Sequence, residues 1–367
     1  MKNHTSNSRH IDLLSELIFH GYDKDFSSPV ANPRGMRTEQ LPLNGEEFQE
    51  LLQLADTHHV SVRGLRVLSK IAHQGGQAQL EEWCEAALAA EQKRIANAVE
   101  WLYAILRCLE DSGCPACVIK SLDHWPDLGS DLDLYTSGSP DQVGRIMRQK
   151  LQAQEEPRSW GDRLANKWNF RVPGLPELVE IHVRYLGQTG EQELMARRVI
   201  ERSVTRVVNE HTFPVPAAEE RILISTLQRM YRHFYFRLCD MADMAALINS
   251  GMVNFAELRR GAELGSIWPG AASFLVLVRE YVERYGGRVD LPSEVIAAAY
   301  SRELRVQFRN TFLRVPVGPA AALYSSQLFA AGRHRDMRAI TRLPLLPPLA
   351  VSALVAYRLT GSDKGVW

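Results

Sequence analysis

The 367-residue sequence has no uninterrupted apolar run of about 20 residues, the length a membrane-spanning helix requires, so no transmembrane segment is expected. It has no charge excess either, because 43 Lys and Arg balance 43 Asp and Glu. A dedicated nucleic-acid binder carries a basic footprint, and a large nucleic-acid interface is therefore not expected. Cysteine is scarce: Cys84, Cys108, Cys114, Cys117 and Cys239 make an odd set of five. The N-terminal MKNHTSNSRH is polar and lacks the apolar core of a secretory signal. Together these features point to reduced thiols in a cytoplasmic protein. Cys114 and Cys117 have redox-motif spacing, but no second such pair stands by to build a zinc site, and inert thiols are expected. The sequence also lacks GxxxxGK[ST], HExxH, GxSxG and a GxGxxG in a βαβ setting, which removes several common enzyme classes. There is no internal repeat and no low-complexity tract.

What is present is an ordinary globular composition, 45% hydrophobic and 23% charged, long enough for two or three domains. Residues 1–45 read as a flexible N-terminal segment, disordered to about residue 10 and loop-rich over 24–45. Residues 46–112 read as helical. Leu88, Ile95, Val99, Leu102, Leu106 and Leu109 form one apolar stripe, and Gly113 supplies a stop. Residues 113–216 read as an α/β core and 217–367 as a helical region. In the latter, the spacing of Leu223, Leu227, Met230, Tyr231, Phe234, Leu238, Met241, Ala245 and Ile248 predicts one helix of about seven turns. Further helices are expected near 254–263, 270–285 and 293–308, and in the tail. Leu343 to Tyr357 is uncharged, broken by Pro344, Pro347 and Pro348, and preceded by Arg333, Arg335, Arg338 and Arg342. A buried C-terminal helix is its first reading and peripheral membrane contact its second.

The chemistry concentrates in the core. CVIK (117–120) is a short β-type run. DLDLYT (131–136) alternates, which puts Asp131 and Asp133 on one strand face. Ser139 suits an N-cap, Pro140 the first helical position, and Gln142 can close a capping box. Residues 167–172 and 178–185 alternate around Pro173-Gly174-Leu175-Pro176 and predict an antiparallel hairpin. Its charged face carries Lys167, Asn169 and Arg171 on one strand and Glu180, His182 and Arg184 on the other. Its opposite face is apolar: Trp168, Phe170, Val172, Val179, Ile181 and Val183. Two carboxylates on one face repel unless a cation compensates them, and Mg²⁺ (or Mn²⁺) prefers such hard oxygen ligands. A third carboxylate, Glu180, completes a two-metal clamp and can help deprotonate an acceptor. Gly129 allows close backbone approach to a phosphate, and Ser130 can donate to it. Lys120 either contacts phosphate or ends an edge strand. Lys167, Arg171 and Arg184 either neutralise phosphate or pair with the acids, and His182 either ligates or orients a neighbour. Arg237 and Asp240, three apart, either make a structural pair or hold the nucleotide against the site.

This pattern resembles the nucleotidyltransferase superfamily of the DNA polymerase beta type, and within it a bacterial branch with a helical N-terminal region. Gly113-Cys114-Pro115 stands as the turn, Val118-Ile119-Lys120-Ser121 as the lysine strand, Asp131-Leu132-Asp133 as the metal pair, and Glu180-Ile181-His182 as the later acid-x-His. The helix with Arg237, Asp240 and Asp243 is similar to the Arg-x-x-Asp helix that follows. Glu180 replaces the usual Asp, and Ser121 stands where glycine is usual. The resemblance spans roughly 46–250. It implies an α+β fold, with a small mixed sheet and flanking helices between N- and C-terminal helical regions. It also implies Mg²⁺-dependent transfer of an NMP group from an NTP to an acceptor of unknown identity (RNA, protein or small molecule). Asp131, Asp133 and Glu180 would then bind metal, with Gly129, Ser130, Lys120, His182 and Arg184 at the nucleotide. A non-catalytic nucleotide- or partner-binding module with the same fold is the alternative.

Overall fold

The computed structural model describes residues 2–20, 43–300, 305–309, 311–315 and 317–360. The loop expected over 24–45 lies outside the described residues as far as 42, and residues 43 and 44 lead directly into a helix.

The N-terminal region is helical, as expected, but it begins earlier. Residues Lys2–Phe19 form α1, which buries Ile11, Leu14, Leu17 and Ile18, where disorder was expected up to about residue 10. The apolar positions late in α1 give it a core to pack on, which outweighs its polar start. Next come α2 (Gly45–Thr57), capped by Asn44 and Glu47, α3 (Ser61–Gln74) and the 33-residue α4 (Ala78–Glu110). The stripe on α4 is buried from Ile95 to Leu109, and Gly113 takes the positive φ that stops the chain beyond its end.

The core sheet is mixed. Its strands are β1 (Ala116–Val118), β2 (Asp131–Thr136), β3 (Gln154–Glu155), β4 (Lys167–Arg171) and β5 (Leu178–Val183), in the order β1-β2-β5-β4-β3. The expected hairpin β4–β5 is antiparallel, whereas β2 and β5 run parallel with Asp133 directly across from Glu180. One face of the sheet is apolar. Leu132, Leu134, Phe170, Val179, Ile181 and Val183 are buried in a cluster with the α4 stripe and with α5 (Pro140–Leu151). Ser139 caps α5 and Pro140 opens it, but the Gln142 side chain donates to the Ser112 carbonyl and closes no capping box. The short α6 (Trp160–Ala165) precedes β4. α7 (Leu194–Glu201) and a separate hairpin, β6 (Ser203–Val208) with β7 (His211–Pro216), complete this region.

The expected seven-turn helix is broken. α8 (Ala218–Thr226) passes into a π-helical turn over Leu227–His233, and Phe234 then adopts a left-handed conformation. A two-residue strand, β8 (Tyr235–Phe236), follows before the chain restarts as α9 (Leu238–Asn249). The apolar spacing continues through the break because the same residues face the same core, so periodicity conceals it. The chain continues through α10 (Phe255–Leu264), α11 (Trp268–Arg284) and α12 (Ser293–Ala298). The helix expected over 293–308 ends at Ala298. Gln307–Arg309 is instead strand β9, and with β10 (Phe312–Arg314) and β8 it makes a three-stranded sheet. The tail forms α13 (Val317–His334), α14 (Met337–Arg342) and α15 (Leu346–Thr360). α15 is only partly buried: Leu346 and Leu349 face inward, while Val351, Val355 and Leu359 are exposed. Two of the arginines before it are already engaged. Arg338 donates to the Gly190 carbonyl and Arg342 to those of Leu164 and Thr189. No helix among the described residues is long and apolar enough to cross a membrane.

The loop between β1 and β2 is anchored from beneath. Buried Arg63 bonds the Trp125 carbonyl at 2.9 Å and pairs with Asp243 at 2.8 Å, while Asp127 accepts the Val62 N–H at 2.6 Å at the start of α3. Removing one partner of a buried charge network leaves the others uncompensated, at a cost of about 3–5 kcal/mol. Arg63→Met is accordingly expected to lower unfolding stability by that order, read from the shift of the urea midpoint. A loss below about 1 kcal/mol would mean that this network does not hold the loop.

Candidate active site

β2 and β5 place Asp133 and Glu180 side by side on the charged face, and β4 adds Lys167. The register leaves two carboxylates buried together, at 6% and 8% exposure. Compensation comes from three side chains. Lys167 Nζ donates to Glu180 Oε2 at 2.8 Å and pairs with Asp162 at 2.9 Å. His182 Nε2 lies 2.8 Å from Glu180 Oε1. Lys120 Nζ contacts Asp133 and lies 3.4 Å from Glu180. Burial works against the charge on Lys120, yet Asp133, Glu180 and Asp131 around it hold its pKa above the ordinary lysine value. Burial likewise raises Glu180, but Lys120, Lys167 and His182 outweigh it and hold this carboxyl well below its usual range.

The backbone is bent to deliver Lys120. The Ser121 N–H donates to the Ile119 carbonyl at 2.6 Å, and Lys120 between them has φ 59° and ψ −59°. This is a γ-turn of the positive-φ kind, rare and strained for a residue with a Cβ. Strain of that kind persists only where the surroundings over-determine it. Here the ion pairs to Asp133 and Glu180 do so, together with Ser121 Oγ, which accepts the Asp133 N–H at 2.7 Å. Ser121, at the position where the resembled family has glycine, is thus a clamp on β2.

Asp131 lines the same cavity. Burial, followed by the charges of Asp133 and Glu180, pushes it up to about 6. Ser130 is exposed, with its hydroxyl 3.4 Å from Asp131 Oδ1. Gly129 is where the chain passes close to another side chain, since a Cβ there would lie 3.0 Å from the His59 ring. The ligating atoms of Asp133, Glu180 and His182 lie within 4.8 Å of one another, so the tight cluster substitutes His182 for the expected Asp131.

One expected nucleotide contact is not made. Arg184 follows the end of β5 in a left-handed conformation, and its guanidinium donates to the Gly138 carbonyl at 3.0 Å, outside the site. Strand parity places it beside His182 only if the strand continues, and the strand does not. Arg171 is exposed and pairs with Glu156. The expected Arg237–Asp240 side-chain pair is also replaced. Asp240 accepts the Arg237 backbone N–H at 2.7 Å and pairs with Arg229 at 2.8 Å.

Opposite the acids stands a wall of which the sequence pointed only to Arg237. The cavity, about 180 Å³, is closed by Gln228, Arg229, Arg232 and His233 of the π-helical turn, together with Tyr235 and Arg237. Among the described residues no ion pair engages Arg232 or Arg237, and a buried Nε of each has no hydrogen-bond partner. Burial, Arg232, Arg229 and Arg237 drive His233 well below the usual imidazole range, which registers the positive potential of this wall. The helix break is what turns these residues toward the sheet; π-turns recur at functional sites for that reason. Both thiols of the Cys114–Cys117 pair are buried and unpaired, and burial raises each, in keeping with inert cysteines.

The donor set suits a hard divalent cation. Asp131, Asp133, Glu180 and Asp162 carry four negative charges against the two ammonium groups of Lys120 and Lys167, a deficit of two positive charges on this face.

Because the pKa of Asp131 is raised on folding, the native protein keeps a proton there that the unfolded chain loses above its ordinary carboxylate pKa of about 3.9. Its contribution to stability therefore falls as pH rises from about 4 to 6 and is level above that. Urea unfolding across this window should show wild type losing stability relative to Asp131→Asn. A constant difference would contradict the buried, charge-crowded placement.

No family model, curated protein or solved structure matches the chain.

Proposed function

We propose that this chain is a metal-dependent nucleotidyltransferase that moves a nucleoside monophosphate from an NTP to an acceptor hydroxyl and releases pyrophosphate. One observation carries the reading: an acidic sheet face with two charges uncompensated stands across a small cavity from Arg232 and Arg237, which no ion pair engages among the described residues. A divalent cation bound to a polyphosphate is the ligand whose charges match both walls. At about 180 Å³ the cavity is below the roughly 300–1,000 Å³ of pockets that enclose a whole small molecule, which suits phosphates with the nucleoside projecting outward.

In the reaction, the acceptor oxygen forms a bond to the α-phosphorus as the bond to the β-phosphate bridging oxygen breaks. Mg²⁺ held by Asp133 and Glu180, with Asp131 drawn in from the cavity rim, would neutralise phosphate charge and lower the acceptor's pKa. Arg232 and Arg237 hold the phosphate oxygens, and positioning with charge neutralisation accounts for most of the catalysis in this chemistry. Glu180, engaged by Lys120, Lys167 and His182, is a weak base. The proton from the acceptor falls instead to Asp131, which lines the cavity and which no ion pair engages among the described residues. Lys120 has to leave Asp133 for the cation to enter, and it then faces the phosphates.

A second reading, a nucleotide-binding module without transfer, draws on the same lysine. Its ammonium already lies against both Asp133 and Glu180. One assay separates the two. With α-labelled NTPs, Mg²⁺ and cell extract, the wild type should label an acceptor and Asp133→Asn should reduce labelling by about a hundred- to a thousandfold, the scale of losing one charge-stabilising group. Metal-dependent NTP binding without any labelling would favour the binding module, and neither binding nor labelling would overturn both.

A further inference from the structure

A second group of ligating side chains lies at the edge of the same cavity. His59 comes from the loop between α2 and α3, His124 from the 3-10 turn Ser121–His124, and Cys239 from the first turn of α9. Their ligating atoms all lie within 4.8 Å of one another. His124 Nδ1 lies 2.5 Å from the Asp243 carboxylate. His59 is 8% exposed, and its Nδ1 has no hydrogen-bond partner.

The order Cys239, His124, Asp243 is that of a nucleophilic triad, but Cys239 is fully buried and burial raises its thiol, so no substrate carbonyl reaches an activated sulfur. The geometry points to a different use: His59, His124 and Cys239 form a site for one zinc-class divalent ion, with its fourth position facing the cavity. The chemistry of the donors selects the ion, because a thiolate with two imidazoles suits zinc and is a poor home for Mg²⁺. His124 has the outer-sphere partner that metal-binding histidines use, a carboxylate on its other ring nitrogen that fixes the tautomer. Asp243 is in turn pinned by Arg63 at 2.8 Å. Tetrahedral zinc needs donor atoms about 3.3–3.6 Å apart, within small side-chain adjustments of the spacing observed. His59 and His124 line the cavity and Cys239 does not, so the open position falls on the side of Asp131 and the arginines. Binding displaces the Cys239 thiol proton, so a thiolate faces the dication while His124 keeps its Nδ1 proton against Asp243. This site is independent of the nucleotidyltransferase reading, since none of its ligands belongs to the carboxylate cluster.

Cobalt(II) titration of the full-length, chelator-treated protein tests it, because cobalt takes zinc sites and a cobalt–thiolate bond absorbs in the near ultraviolet. The expected result is a sulfur-to-cobalt band saturating at one equivalent and bleached by one equivalent of zinc. Asp133→Asn should retain the band and Cys239→Ser should lose it. His59→Gln, at the cavity edge and independent of the buried thiol, should retain the band with at least tenfold weaker affinity. A folded wild type without the band would overturn the proposal, as would a band that survives Cys239→Ser, disappears with Asp133→Asn, or is unchanged in affinity in His59→Gln.

Discussion

Setting Asp133 against Glu180 across a parallel strand pair forces two carboxylates into one buried space, and much of the surrounding structure exists to make that tolerable. Lys167 reaches in from β4, His182 from two positions along β5, and Lys120 from a strained γ-turn. Each removes part of the repulsion, none removes all of it, and Asp131 adds a third carboxylate at the rim of the cavity. A fold that only needed stability would place apolar residues here, as it does on the opposite face of the same strands. The residual negative charge is what a divalent cation would answer.

The arrangement depends on elements that contribute nothing to the acids directly. The Arg63–Asp127–Asp243 network anchors the loop that carries His124 and Gly129, and Arg94 donates to the Leu128 and Gly129 carbonyls from α4. On the far side, the π-helical turn and the left-handed Phe234 redirect the chain so that Arg229, Arg232 and Arg237 face the sheet. The two walls are thus held by separate parts of the molecule, the sheet and its loop on one side and the α8–α9 break on the other.

The acidic wall was legible in the sequence, and the basic one only at Arg237. Strand alternation is local, so Asp131, Asp133, Glu180, His182 and Lys167 could be assigned to one face from parity alone. The antiparallel hairpin followed from its Pro/Gly turn. Parity failed at Arg184, where the strand had ended and φ changed sign. The arginine wall was hidden because Leu223 to Ile248 keeps helical spacing across a break that Gly or Pro does not mark. Strand β10 pairs with β8 from far earlier in the chain and with β9 on its other side, and a long-range pairing of such short segments leaves no periodic trace. The His59–His124–Cys239 group draws on three distant segments and follows no spacing rule, so only the fold brings it together.

A divalent cation and phosphates are proposed to share the space between these two walls. Diffraction from crystals grown with Mn²⁺ and a non-hydrolysable NTP checks this. The expected result is an anomalous peak within ligand distance of the Asp131 and Asp133 carboxylates, phosphates against Arg232 and Arg237, and Lys120 Nζ moved off Asp133. Manganese absent from those carboxylates, or a nucleotide seated elsewhere with the Lys120–Asp133 pair intact, would contradict it.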